Sequence, residues 1–169
     1  MDLDGALTVA GLIAELGIVE GRKRLQKLVH LLGAAGYRKD FKQRFILHYY
    51  GPFSRQVAAQ MDFLSAAELV RETRSDAGGY SYSVPGDDAK AGIDSLRGGA
   101  PVPSPWAGLA KQLDEQDTDF LEAVSTVVFL HARGTRDQEL EEEFAETKPQ
   151  LKARFPEARQ YAKDLSLIH

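Results

Sequence analysis

Residues 20–54, EGRKRLQKLVHLLGAAGYRKDFKQRFILHYYGPFS, have the most regular apolar spacing in the chain and its sharpest breaks. Near the start of this stretch, four apolar residues recur at positions i, i+3, i+4 and i+7, which places them on one face of a helix. The spacing predicts a helix over residues 21–35 that ends at Gly36, with the neighbouring polar residues largely off the apolar face. The four apolar residues are Leu25, Leu28, Val29 and Leu32.

The end of the same stretch changes character. Residues 45–50 are aromatic and β-branched, which favours a short strand. Gly51-Pro52 then predicts a break in the chain. Ser54 is a good N-cap residue and predicts a third helix that runs to Phe63 or Ser65.

The flanking segments complete a recognisable order of elements. Residues 7–16 predict a first helix, capped by Asp4 and ended by Gly17, with residues 18–20 as a short link. Residues 69–74 and 80–84 predict a β-hairpin, because two adjacent glycines between them suit a tight turn. Helix, helix, strand, helix and hairpin in this order are typical of a winged-helix domain, with the hairpin as the wing.

The character of the chain changes again at residues 98–105, where three prolines and two glycines predict a linker. We therefore expect a winged-helix-like domain over residues 1–97 and an acidic helical region over residues 106–169. The predicted fold class is α+β, mostly α. The helices predicted after the linker cover residues 106–114, 118–132, 136–147 and 151–165.

Composition limits the class of protein. The chain of 169 residues is 43% hydrophobic and 27% charged, as in ordinary globular proteins, and the absence of cysteine excludes disulfides and thiolate sites. The first residues lack the basic start of a signal peptide, and no apolar run approaches the ~18 residues that span a bilayer, so we expect a cytoplasmic protein without a membrane partner.

Charge is distributed unevenly along the chain. Residues 1–60 have a net charge of +4 and residues 61–169 a net charge of −8, which together give the overall −4. This division indicates two surfaces with different partners, or two solvated faces.

No pattern typical of an enzyme is present. The four histidines show no metal-ligand spacing, and there is no nucleophile elbow, phosphate-binding loop or dinucleotide fingerprint. Adjacent acidic residues, such as Asp87-Asp88, point in different directions on a helix and are poor candidates for a paired acid and base. We expect no catalytic residue, no metal and no cofactor.

The basic stretch is the best candidate for a binding site. Nine Lys or Arg residues lie between Arg22 and Arg55. Such a cluster neutralises phosphates of a nucleic acid or contacts a protein partner. The aromatic turn of residues 48–54 is explained equally by packing around a turn and by an exposed binding surface. The predicted binding residues are Arg22, Lys23, Arg24, Lys27, Lys39, Lys42, Arg44, Tyr50, Ser54, Arg55 and Gln56.

Two motifs carry a family resemblance. Residues 21–28, GRKRLQKL, and residues 50–54, YGPFS, resemble the YwgA-like family, which pairs a G-R-K-x-L-Q-K-L helix with a downstream H-x-Y-G-P-[YF]-S turn. More remotely, the same motifs are similar to the Panacea (SocA-like) antitoxin domain. The resemblance covers residues 7–96 well and the helical tail loosely. It implies a winged-helix-like fold and a regulatory, antitoxin-like or phage-defence role, largely through contacts with proteins.

Two functions remain open at this point. The first is a non-enzymatic winged-helix module that binds a protein partner in a defence or toxin–antitoxin-like setting. The second is a DNA-binding transcriptional regulator, working as a homodimer, that uses the basic residues between 22 and 55. The identity of the partner or DNA site does not follow from the sequence.

Overall fold

The computed structural model describes residues 2–76, 78–99 and 103–169. The fold is α+β and mostly helical, as the sequence predicts. The helices are α1 (Leu3–Leu16), α2 (Arg22–Ala34), α3 (Arg55–Ala66), α4 (Asp87–Leu96), α5 (Ala107–Asp114), α6 (Thr118–Ala132), α7 (Asp137–Thr147) and α8 (Phe155–Asp164), with a 3₁₀ helix at Pro149–Arg154. The strands are β1 (Ile18–Glu20), β2 (Ile46–His48), β3 (Gly51–Phe53), β4 (Arg71–Arg74) and β5 (Tyr80–Ser83).

The first helix starts earlier than its apolar pattern predicts. Its N-cap is Asp2, whose Oδ1 accepts the Gly5 N–H at 3.1 Å, so the prediction of Asp4 as the cap is wrong. Asp4 lies instead in the first turn, where its negative charge interacts favourably with the positive end of the helix dipole. The end at Gly17 is confirmed: this glycine has φ of 80° and donates its N–H to the Ile13 carbonyl.

A three-stranded antiparallel sheet contains the predicted hairpin. The strand order is β1-β5-β4, so residues 18–20 are a strand and not the predicted link. The β4–β5 hairpin is confirmed, although Ala77 in its turn lies outside the described residues. Val19 and Tyr82 face each other across β1 and β5, and both are fully buried. Three residues are too few to show an alternating pattern, which explains why the sequence did not indicate β1.

The strand predicted before Gly51-Pro52 is half of a second, smaller hairpin. β2 and β3 pair antiparallel, and Tyr49 and Tyr50 connect them. We call residues 46–53 the ribbon. Pro52 was predicted to break the chain, but it pairs with Leu47 inside β3. A proline is compatible with such a strand because a two-stranded ribbon consists only of edges.

The third helix begins as predicted. Ser54 is its N-cap, and its hydroxyl accepts the Val57 N–H at 3.4 Å. The apolar face of α3 packs against α1, since Val57, Met61 and Leu64 are buried.

The C-terminal helices pack onto the N-terminal elements. α6 contacts α2, the ribbon strand β3 and α8. Buried apolar residues from both sides of residues 98–105 belong to one hydrophobic core, including Leu28 and Trp106. The linker predicted at 98–105 falls partly outside the described residues, because residues 100–102 are not described. Among the described helices, none combines the length and apolar composition that a membrane crossing requires.

Candidate interaction site

Helix α2 turns several of its polar side chains inward. The sequence places Gln26 and Lys27 off the apolar face, but they are only 5% and 1% exposed, so that expectation is wrong. Their neighbours explain the burial, because α2 lies between α6 and the ribbon and the inward polar groups all find partners.

Arg24, one of the predicted binding residues, is also buried. Its Nε donates to Asp114 Oδ1 at 2.7 Å, and its terminal nitrogens donate to Thr118 Oγ1 and to the Gln116 carbonyl. These bonds join α2 to the end of α5 and the start of α6. In this structure Arg24 therefore has a structural role, with no free donor group turned to solvent.

Gln26 and Lys27 bond the two sequence motifs to each other. Gln26 Nε2 donates to the Ser54 carbonyl at 3.0 Å, and Gln26 Oε1 accepts the Ser54 N–H at 2.9 Å. Lys27 Nζ donates to the Pro52 carbonyl at 2.8 Å. The GRKRLQKL helix and the YGPFS turn are thus two halves of one hydrogen-bonded unit, and Ser54, fully buried, belongs to its interior.

Gly51 allows the ribbon to approach α6 closely. Its φ of 83° lies in the left-handed region that favours glycine. A Cβ at this position would lie 3.1 Å from Thr126 Oγ1 and 3.3 Å from Glu122 Cγ. Both the backbone conformation and the lack of space therefore require glycine.

A buried group of charges lies beneath the turn of the ribbon. The Glu122 carboxylate of α6 forms ion pairs with two lysines. Its oxygens lie 2.9 Å from Lys148 Nζ and 2.5 Å from Lys23 Nζ. Lys148 is fully buried and also donates to the Tyr49 carbonyl. We call Lys23, Lys27, Glu122 and Lys148 the ion cluster. It joins α2, α6, the ribbon and the segment after α7.

Burial changes the protonation of one member of the ion cluster. Removal of Lys27 from water lowers its pKa to about 7, and the positive charges of Lys148 and Lys23 act in the same direction. Glu122 acts in the opposite direction without cancelling the effect. Lys27 therefore changes charge near neutral pH.

The turn of the ribbon presents two tyrosines to solvent. Tyr49 and Tyr50 are 79% and 57% exposed, and their ring centroids lie 5.3 Å apart in an edge-to-face arrangement. The Lys23 ammonium lies 5.5 Å from the centre of the Tyr50 ring. Because the backbone on both sides of these tyrosines is bonded to buried side chains, the two rings are held outward on a fixed support.

A groove opens beside Tyr50, between α2, the ribbon and α3. Its volume is about 300 Å³. Its apolar lining includes Leu25, Phe53, Val57, Ala58 and Met61, and its polar or aromatic lining includes Arg22, Lys23, His48 and Tyr50. An apolar floor with a few polar groups around it is the usual form of a ligand- or peptide-binding site.

Arg22 is already paired on the side that faces the sheet. It bonds Glu72 at 2.9 Å and the Tyr82 hydroxyl at 2.8 Å, and it lies 3.4 Å from Asp62. The Tyr82 hydroxyl and Arg22 lower the pKa of Glu72. The charge of Arg22 is therefore largely balanced within the chain.

The remaining predicted site residues lie apart from the groove. Lys42 is 3.6 Å from Asp2, and Gln56 accepts the Arg44 N–H at 2.7 Å at the start of α3. Lys39 and Arg55 are exposed. The structure thus brings Arg22, Lys23, Lys27 and Tyr50 around one groove and leaves the other exposed cations outside its lining. Their binding role remains a prediction.

Two members of the ion cluster were missed by the sequence reasoning. Glu122 stands among apolar residues in α6, and a lone carboxylate on such a face is a signal for a buried ion pair. Lys148 gives no comparable signal, because it stands beside a proline between two helices. Within residues 2–76, 78–99 and 103–169, no three side chains form a group suited to a metal ion.

Comparison with known proteins gives one relative. The chain is similar to the Bacillus subtilis (strain 168) protein named Uncharacterized protein YwgA, with 27% identity over 161 residues that cover 92% of each chain. This similarity supports the resemblance to the YwgA-like family and does not extend to the Panacea domain. No family model matches the chain, and no solved structure matches it.

Proposed function

We propose that this protein is a non-enzymatic interaction module that binds a segment of a partner protein in the groove between α2, the ribbon and α3. The observation that carries the proposal is the support beneath the groove. Buried side chains from two separate parts of the chain, Lys27 and Lys148, hold a turn whose exposed residues are aromatic. Exposed tyrosines beside an apolar depression are typical of the centre of protein interfaces.

The order of elements supports a winged-helix-like description of this module. α1, β1, α2, α3 and the β4–β5 hairpin follow one another, and β1 pairs with β5 of the hairpin. In this description the ribbon is an addition between the second and third helices, and the groove lies beside it. The setting that we propose, defence or a toxin–antitoxin pair, is supported by the resemblance to the YwgA-like and Panacea families.

Photo-crosslinking in the native host tests the proposal. Benzoylphenylalanine in place of Tyr50 is expected to form a covalent adduct with a protein, because this ring borders the groove. The matched position is Tyr80, an exposed tyrosine of β5 that is 40% exposed and outside the groove lining.

A pair of variants on α3 tests whether the crosslink depends on an open groove. Ala58→Arg fills the groove, whereas Ala59→Arg places the same side chain on the next, exposed position outside its lining. The adduct is expected to disappear in Ala58→Arg and to persist in Ala59→Arg. Equal adducts in both variants, or an adduct only to nucleic acid, would contradict the proposal. An adduct to a second copy of the chain would show that the partner is the same protein and that the protein forms a homodimer.

A second candidate function, duplex DNA binding, is favoured by a separate observation. Lys39, Arg44 and Arg55 are exposed, and among the described residues none of them has a carboxylate within 4.0 Å. Anisotropy of a labelled duplex across salt concentration tests it, with Arg44→Ala and Arg55→Ala as variants. Affinity that falls steeply with salt and weakens in both variants would support this function. Arg24 and Lys27 are unsuitable for this test, because their substitution disturbs the interior.

A further inference from the structure

The groove has one electropositive wall. Lys23 and Lys27 line it from α2, and Lys148 lies behind them in the ion cluster. Glu122 is the carboxylate that Lys23 and Lys148 share, and its side chain is 2% exposed. The opposite wall, from α3, is apolar at Val57 and Met61.

We infer that the segment bound in this groove presents an Asp or Glu carboxylate to the α2 wall and places an adjacent apolar side chain against α3. This inference rests on the proposed function and specifies the chemistry of the partner. The occupant is a polypeptide segment, since the exposed tyrosine at the rim and the apolar floor suit a side chain together with its backbone.

The balance of charge in the ion cluster supports an anionic partner. Lys23 and Lys148 pair with Glu122, and Lys27 adds part of a positive charge nearby. The other carboxylate, Asp119, lies 3.1 Å from the Lys23 ammonium but is 66% exposed and therefore screened by water. An excess of positive charge away from water is unfavourable. A carboxylate from the partner would reduce this excess at the point where the groove gives access to it.

Lys23 provides that access. Its side chain is 32% exposed, while its ammonium group contacts both Glu122 and the ring face of Tyr50. A carboxylate beside the Tyr50 ring would therefore reach Lys23 directly without displacing buried contacts. The neighbouring Arg22 is already paired with Glu72 and Asp62, so Lys23 is the cation on this wall that meets the partner.

The inference includes a link between binding and pH. The charged and titratable groups near Lys27 are Lys23 and His30 on its own helix, Glu122 on α6 and Lys148 after α7, and His48 of the ribbon lies across the groove. A bound carboxylate favours the charged form of Lys27, whose pKa is about 7 in the free protein. Binding therefore takes up protons, and the affinity is expected to fall as the pH rises from 6 to 8.

A displayed library of random 12-residue peptides is the probe for this inference. The wild-type protein and the Ala58→Arg variant are used as baits, and sequences that need an open groove are those enriched by the first and lost with the second. Groove-dependent peptides that pair Asp or Glu with an adjacent apolar residue are the expected result. Groove-dependent peptides without acidic residues would overturn the inference and leave the proposed function intact. No groove-dependent peptide would contradict the proposed function as well.

A double-mutant cycle on one selected peptide identifies the contact. Exchange of its acidic residue for the amide is expected to weaken binding to the wild-type protein by about tenfold. The same exchange should have little effect on binding to Lys23→Met, a variant that changes a partly exposed side chain and is expected to fold. Lys111→Met, an exposed lysine on α5, is the matched control and should retain the tenfold effect. Retention of the full effect in Lys23→Met would overturn the inference.

Discussion

The two β-hairpins of this protein are held in different ways. The β4–β5 hairpin is part of a three-stranded sheet, and its backbone bonds to β1 keep it in place. The ribbon has only two strands of three residues each, and buried side chains from α2 and from the segment after α7 donate to its carbonyl groups. A short two-stranded hairpin is marginal in water, so the ribbon depends on side chains distant in sequence. Side chains, rather than a sheet, therefore support the proposed site.

Among the variants that test how the two hairpins are held, Glu122→Gln is expected to lower stability the most. This change removes the carboxylate shared by Lys23 and Lys148 and leaves a fully buried ammonium without its partner. The free energy of unfolding is expected to fall by about 3–5 kcal/mol, as for other buried pairs that lose one member. Urea denaturation measures it. Glu141→Gln on the exposed face of α7 is the control and should have almost no effect. Equal stability of the two variants would show that the ion cluster does not support the ribbon.

The pH dependence of stability gives the next effect. Lys27 has a pKa of about 7 in the folded protein and an ordinary lysine value of 10.5 when unfolded. Below pH 7 Lys27 is charged in both states, and the folded protein carries the full cost of burying that charge. Between pH 7 and 10 Lys27 is largely neutral in the folded protein and still charged in the unfolded chain, so this cost is relieved. Stability is therefore expected to rise between pH 7 and 9, by up to ~1.4 kcal/mol per pH unit.

Denaturation of the wild-type protein and Lys27→Met at several pH values measures this contribution. The difference between their free energies of unfolding should change with pH in this range. A constant difference would mean that Lys27 remains charged in the folded protein above pH 9.

Two glycines provide a smaller and closely matched comparison between the hairpins. Gly51 and Gly78 have nearly equal φ values, 83° and 84°, but only Gly51 has neighbours where a Cβ would lie. Gly78→Ala is expected to cost about 1 kcal/mol from backbone strain alone. Gly51→Ala should cost about 1–2 kcal/mol more, because the ribbon must move away from α6. Thermal unfolding measures the loss of stability in each variant. Equal losses would mean that α6 and the ribbon move apart without a measurable loss of stability.

The smallest expected loss of stability comes from a variant in the β4–β5 hairpin, which the sheet holds in place. Tyr82→Phe removes a hydroxyl that donates to Glu72 at 2.6 Å and accepts from Arg22 at 2.8 Å. The expected loss is about 1 kcal/mol. Tyr80→Phe, on the same strand with an exposed ring, should be neutral. Crosslinking at position 50 should be unchanged in both variants, and its loss in Tyr82→Phe would show that the two hairpins are coupled.

Local patterns account for the parts of the fold that the sequence predicted. The periodic apolar residues of α2 and α3, the Ser54 cap and the β4–β5 hairpin all depend on neighbours within a few positions. β1 and the ribbon were missed or only half recognised, because strands of three residues have no detectable period.

Some of the predicted site residues line the groove, but the sequence did not indicate which of the basic residues are buried. The basic residues of α2 suggested an exposed patch, yet Arg24 and Lys27 are buried and bonded within the chain. Asp114, which bonds Arg24, stands 90 positions further along the chain, and Glu122, whose charge acts on Lys27, lies similarly far away in α6. No local pattern reveals such pairs, since a lysine on a solvated face and a lysine in a buried ion pair have the same neighbours in sequence.

The bond between Lys148 and the Tyr49 carbonyl joins residues that are 99 positions apart. During synthesis, the tyrosines of the ribbon leave the ribosome long before the lysine that completes their support. The groove therefore reaches its final form only after most of the chain has been translated, since contacts of such long sequence separation form late. We therefore expect a partner that recognises the turn held by Lys148 to bind the chain only after Lys148 has reached its place.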